Sequence, residues 1–178
     1  MTIFFTLLLA HLIADFPLQT NRIFAMKLKS SRGIAIHVLI HVAVTALLIR
    51  EPVIHWRLFI ILAITHFLID WLKLRYPTQR QVPGFLLDQI LHLIVLGFLA
   101  AVSPTIRPAL SGWLLTFAII YAFIPPIIMF LWLLAIDEGQ VREHTTRRIK
   151  WRQRNLLSLS QHAGLPLLLG VGLGIVCF

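Results

Sequence analysis

Apolar residues along this chain come in long continuous runs, and most of the polar residues fall between the runs rather than along one stripe of them. The runs occupy about 2–16, 34–49, 56–74, 84–102, 109–136 and 165–178. Runs of this kind predict an all-α protein, a polytopic membrane helix bundle of about six transmembrane helices. The first run would extend about 23 Å at the helical rise, short of a hydrocarbon core of roughly 30 Å, and Pro17 predicts a kink at its end rather than a stop. The segment after it carries Arg22, Lys27, Lys29 and Arg32 among apolar residues, which suits an interfacial helix or loop with a basic face, closed by Gly33. Arg50, Glu51 and Pro52 end the second helix, and Pro77 follows the third. Pro125 and Pro126 predict a kink in the middle of the fifth.

Composition agrees with a membrane solvent. Of 178 residues, 58% are hydrophobic and 13% charged, with a mean hydropathy of +0.86. That reading makes residues 1–178 one transmembrane domain: a four-helix part over 1–102, a basic segment over 137–161 and a last helix within 162–178. The formal charge of +9 would suggest nucleic acid in a soluble protein, but here the Lys and Arg lie in the connections, where they orient the chain and meet anionic lipid. No nucleic-acid partner is expected. With the N-terminus outside, thirteen of the sixteen Lys and Arg fall on the cytoplasmic side. The expected location is therefore a bacterial inner membrane, crossed several times, with both termini external. Cys177 excludes an internal disulfide or a thiolate metal cluster. No basic segment precedes the first apolar run, which we read as a retained helix rather than a signal peptide. Gly170 and Gly174 have the small-xxx-small spacing of close helix packing and offer a face for an oligomer.

Four apolar runs carry ionisable residues at one offset. His11 and Asp15, His37 and His41, His66 and Asp70, and Asp88 and His92 are each four residues apart, which places both members on one helix face about 6 Å apart along the axis. An ionisable group at a helix centre in hydrocarbon carries a penalty of about 2.5 to 3.5 kcal/mol on insertion scales, so eight of them call for an explanation. The predicted topology brings all four pairs to the cytoplasmic end. It also sorts them into a deeper layer of His11, His41, His66 and His92 and a shallower one of Asp15, His37, Asp70 and Asp88. Facing layers of imidazole and carboxylate in a helix bundle are how ferritin-like proteins hold two metals, although those use Glu-based pairs. The expected cofactor is a pair of divalent ions, Zn, Fe or Mn, with all eight residues as ligands.

The blocks HLIADFPLQT, HVLIH, THFLIDWLK and LLDQILHL resemble a family of small bacterial and phage membrane proteins catalogued as family 3307 of domains of unknown function. The resemblance covers about the first 100 residues and implies no established activity. A looser similarity, in the His and Asp pairs alone, is to inner-membrane metal-dependent hydrolases.

The expected function is a dinuclear metal protein acting as a hydrolase on an amphiphilic or lipid-phosphate substrate at the cytoplasmic face, with membrane lipids as its surroundings. Asp15, Asp70 and Asp88 are the candidate catalytic groups, since one of them can bridge the ions or take a proton from water. Lys73, Gln19 and Gln89 are candidate substrate contacts, with Gln19, Asn21 and Gln89 also candidates for orienting ligands. His55, His144 and His162 lie outside the four pairs. Two other functions fit the same residues: a proton- or metal-ion-coupled transporter, because intramembrane Asp and His make relays, and a histidine-rich di-iron oxidase or hydroxylase. The bland alternative is a metal-free network of His and Asp that ties four helices together.

Overall fold

Helix α1, Thr2–Asp15, is buried along nearly its whole length, from Thr6 to Ala14 without a break, and the rest of the protein is arranged around it. A helix apolar on every side belongs inside a bundle. The computed structural model describes residues 2–110 and 112–141, and the predicted last helix, most of the basic segment, His144, His162, Gly170, Gly174 and Cys177 lie outside the described residues. The helices after α1 are α2 (Asn21–Lys29), α3 (Ser31–Leu47), α4 (Trp56–Arg75), α5 (Gln81–Val102), α6 (Gly112–Ala122) and α7 (Ile124–Val141). A 3-10 turn, Pro52–His55, precedes α4. Among the described residues the only β contact is an isolated antiparallel bridge between Ile49 and Pro108.

Helices α1, α3, α4 and α5 form a closed ring in which each touches the next and α5 returns to α1. Outside it, α2 packs on α3, α6 on α1 and α7 on α5. Chain direction alternates around the ring. The end of α1, the start of α3, the end of α4 and the start of α5 therefore meet at one end of the bundle. The opposite end is closed by apolar packing of Ile3, Leu7, Leu58, Leu62, Leu96 and Leu99. There the two connections are tied by Arg50 N–H donating to Arg107 O at 2.9 Å and Ala109 N–H to Leu48 O at 2.9 Å.

Among the described residues three helices are long and apolar enough to cross a membrane: Pro52–Arg75, Gln81–Val102 and Gly112–Gly139, with Thr2–Asp15 and Ser31–Leu47 shorter and also apolar. The outer faces carry Leu39, Ile64, Ile94, Phe117 and Ile120, all more than half exposed. A surface of this kind is stable against lipid and not against water. The protein is an all-helical membrane protein.

Several local expectations change. Pro17 ends α1 rather than kinking it, and a turn leads to Thr20, whose hydroxyl accepts from Ile23 N–H at the start of α2. Gly33 does not close the basic segment. It lies in the first turn of α3, where a Cβ would come within 2.1 Å of the Met26 carbonyl carbon and oxygen. Ser30 serves both helices: its N–H donates to Met26 O at the end of α2, and its hydroxyl accepts from Gly33 N–H at the start of α3. Helix α5 starts earlier than the apolar pattern suggested. Its first N–H groups, on Gln81 and Val82, donate to the Asp137 carboxylate of α7 at 2.8 and 2.9 Å. Pro125 and Pro126 fall in the first turn of α7, and the predicted fifth helix is divided at Phe123 into α6 and α7.

Candidate metal centre

The four i, i+4 pairs meet where the four ring helices converge. His11, His37, His41, His66, Asp70, Asp88 and His92 are buried, and Asp15 is nearly so. Helical spacing aligned each pair on its own helix. The ring brings the pairs together.

The four deeper histidines stack into one layer. Ring centroids are 4.9 Å apart for His11 and His92, 5.3 Å for His11 and His41, 3.7 Å for His41 and His66, and 4.1 Å for His66 and His92. His37, in the outer layer, still lies 4.7 Å from His41 and 5.3 Å from His66.

Asp15 is the hub. Its Oδ1 is 3.0 Å from His37 Nε2, 2.9 Å from His41 Nε2 and 3.9 Å from His66 Nε2, while Oδ2 is 3.5 Å from His11 Nε2. Gln89 steadies it: the amide Nε2 donates to Asp15 Oδ2 at 3.4 Å and to Asp88 Oδ2 at 3.3 Å, and the amide oxygen accepts from His11 Nε2 at 3.4 Å. Gln89 thus touches three of the eight candidate ligands and orients them.

Asp70 and Asp88 share one design. Lys27 Nζ binds Asp70 Oδ1 at 2.6 Å, and Lys73 Nζ binds Asp88 Oδ2 at 2.7 Å. Each aspartate keeps its other oxygen turned to the histidine one turn away: Asp70 Oδ2 is 3.6 Å from His66 Nε2, and Asp88 Oδ1 is 3.6 Å from His92 Nε2. All four of these atoms are buried and make no hydrogen bond. An unsatisfied buried polar atom costs about 1 to 3 kcal/mol. With the buried His37 Nδ1 they make five such atoms in the cluster, a donor set compatible with an ion. With metal–nitrogen and metal–oxygen bonds of about 2.0 to 2.2 Å, neighbouring ligand atoms lie about 3 to 3.5 Å apart, close to the distances here.

Among the described residues three overlapping groups have one donor atom from each residue within 4.8 Å of the others: Asp15, His37, His41 and His66; His11, His66 and His92; and Asp15, Asp88 and His92. Asp15, His66 and His92 each belong to two of the groups. Seven of the eight candidate ligands are included. Asp70 is not, although its free oxygen also approaches His37 Nε2 at 3.8 Å. The donors are imidazole and carboxylate only, which suits Zn, Fe(II) or Mn.

Other candidate residues are placed differently. Gln19 accepts from Lys27 Nζ at 3.3 Å, so it supports that ammonium. His55 belongs to the 3-10 turn before α4, at the opposite end of the bundle. Lys27 is the residue that the sequence reading missed, having assigned it to a basic outer face. It is the only buried residue of α2, while Phe24 and Leu28 of that helix face outward. The signal for it was present in the charge balance. Three aspartates on apolar helices need cations, and the cations available were in the adjoining connections.

Neither a curated protein nor a solved structure matches the chain. One family model does, over residues 3–124, a span that contains all eight members of the cluster. On that match the chain belongs to the family described as Protein of unknown function (DUF3307).

Proposed function

We propose that the protein is a membrane-embedded hydrolase with two divalent ions held at the His and Asp cluster, acting on an amphiphilic substrate at the cytoplasmic face. The observation that carries this reading is that His66 Nε2, Asp70 Oδ2, His92 Nε2 and Asp88 Oδ1 are buried without a hydrogen bond, facing one another at 3.6 Å in two pairs. Divalent ions supply Lewis acidity and bring the pKa of a water towards neutrality. The residues do the rest. Asp15, a member of two of the three groups, would help to hold the ions, and Asp88 stands beside Lys73 where the cluster meets its surroundings. In hydrolysis the water oxygen bonds to the substrate phosphorus or carbonyl carbon, the bond to the leaving alcohol breaks, and a proton passes from the water through an aspartate to that alcohol. Water is the nucleophile in this reading.

The orientation follows from charge. The end of the bundle that holds the cluster also carries Arg22, Lys27, Lys29, Arg32, Lys73, Arg75 and Arg80, against Arg50, Arg57 and Arg107 at the other. Positive residues accumulate on the cytoplasmic side.

One observation favours a second reading. Lys27 and Lys73 already neutralise two aspartates, so a metal-free network holding four helices together is nearly balanced in charge. Metal analysis of the purified protein, with His41→Ala and His66→Ala set against His55→Ala, decides between them. Loss of bound metal in the first two and retention in the third is the expected result. A wild-type protein without metal, or equal metal content in all variants, defeats the hydrolase reading.

A further inference from the structure

We infer that the centre is built to receive a phosphomonoester dianion and that Lys73 is its handle. The inference rests on the two-ion reading above and deepens it. Its basis is the formal charge of the cluster and its immediate partners. Asp15, Asp70 and Asp88 contribute three negative charges, Lys27 and Lys73 two positive ones, and five imidazoles acting as ligands are neutral. The protein side therefore carries a net charge of −1, and two divalent ions raise it to +3. An uncompensated charge of that size in a buried, membrane-embedded site is expensive. A dianion brings it to +1, and loss of one proton from the attacking water brings it to zero. A phosphodiester monoanion leaves +1 at the same stage and a neutral ester +2.

The lysines turn this accounting into a specific claim. A centre that only stored metal would gain from leaving its aspartates free, because an ammonium on a ligand carboxylate weakens cation binding. Here Asp70 and Asp88 each carry one. Lys27 is enclosed, its side chain 9% exposed, and its Nζ is held by Asp70 and Gln19. Lys73 is different. Its side chain is 39% exposed, and among the described residues its only polar partner is Asp88. Its Nζ is the cluster's one ammonium within reach of both a ligand carboxylate and an arriving headgroup. The partly exposed Lys73 can turn from Asp88 to a phosphate oxygen, while Asp88 Oδ2 keeps the Gln89 amide donor at 3.3 Å and Oδ1 stays turned to His92.

Metal and phosphate should therefore bind with positive coupling, since each relieves the charge left by the other, and coupling between two ligands is reciprocal. The test is calorimetry of Zn or Mn binding to the full chain in detergent, with and without inorganic phosphate, and in mixed micelles containing phosphatidic acid or phosphatidylglycerol. We expect inorganic phosphate or phosphatidic acid to tighten metal binding roughly tenfold and phosphatidylglycerol, a diester, to leave it unchanged. Coupling to phosphatidic acid alone identifies a lipid headgroup as the source. Coupling to inorganic phosphate alone identifies free phosphate. In Lys73→Gln, metal binding without phosphate should tighten while the coupling disappears, and Lys73→Arg should restore it; a purely structural lysine would not produce that split. Metal binding that is indifferent to both phosphate probes, or equally sensitive to phosphatidylglycerol, overturns the inference and leaves the two-ion reading standing. Failure of the wild type to bind metal sinks that reading itself.

Discussion

Lys27 and Lys73 make the same contact in different surroundings, and the difference decides what happens when their partners are changed. Asp70→Asn removes the charge that balances an enclosed ammonium. Breaking a buried pair from one side typically costs about 3 to 5 kcal/mol. Asp88→Asn leaves Lys73 able to turn outward, so its penalty should fall in the range of exposed pairs, about 0 to 1 kcal/mol. We therefore expect Asp70→Asn to lower thermal stability in detergent sharply and Asp88→Asn only slightly, with both impairing metal binding. Similar melting temperatures for the two variants would show that Lys27 is not confined as its contacts indicate. A double-variant cycle sharpens the point: Lys27→Met should be more damaging alone than combined with Asp70→Asn, because the single change leaves a lone buried carboxylate. An additive pair would mean that the two groups do not interact.

At the scale of elements, the cluster depends on how closely α2 and α3 approach. Gly33 allows the approach, since a Cβ there would collide with the backbone of Met26 and Lys27. Gly33→Ala must push α2 away, at about 1 to 3 kcal/mol for overpacking, and draw Lys27 from Asp70. Gly97→Ala is the control, because nothing lies within 4 Å of its Cβ. We expect Gly33→Ala to lose stability and metal affinity together and Gly97→Ala to stay near wild type in both. Comparable losses would remove the special role given to the α2 and α3 contact. The start of α5 has its own support. Asp137 accepts two N–H groups across helices, as a capping residue does within one, so Asp137→Ala should cost about 1 kcal/mol and loosen α7 from α5. Hydrogen exchange at Gln81 and Val82 reads this directly, and unchanged protection there would refute it.

For the whole molecule, the decisive quantity is which face of the membrane the cluster meets. Reporter fusions after Arg80 and after Arg107 should report opposite sides, with Arg80 cytoplasmic. The reverse result would leave the His and Asp geometry intact and move the proposed substrate to the external face. Helix α1 bears on this as well. At 14 residues it extends about 21 Å, less than a hydrocarbon core of roughly 30 Å, and an apolar stripe facing lipid is not what holds it. Its neighbours α3, α5 and α6 hold it, so its end at Asp15 can lie within the bundle rather than at the membrane surface.

The sequence by itself determined the solvent, the helices and the candidate ligands. Long apolar runs specify helices in lipid because every backbone group must be satisfied within its own segment, and an offset of four residues aligns side chains whatever the helix packs against. For that reason the His11, His37, His66 and Asp88 pairs were legible as a pattern before any packing was known. Only the tertiary structure decided the rest. The inward turn of Lys27, the approach of His37 and His41 to Asp15, the reach of Gln89 to His11 and Asp15 and the capping of α5 by Asp137 all join residues distant in sequence. No local periodicity encodes such contacts. The composition of α2 reads as a basic surface helix, and only the place where that helix docks shows that its lysine answers a buried charge on α4.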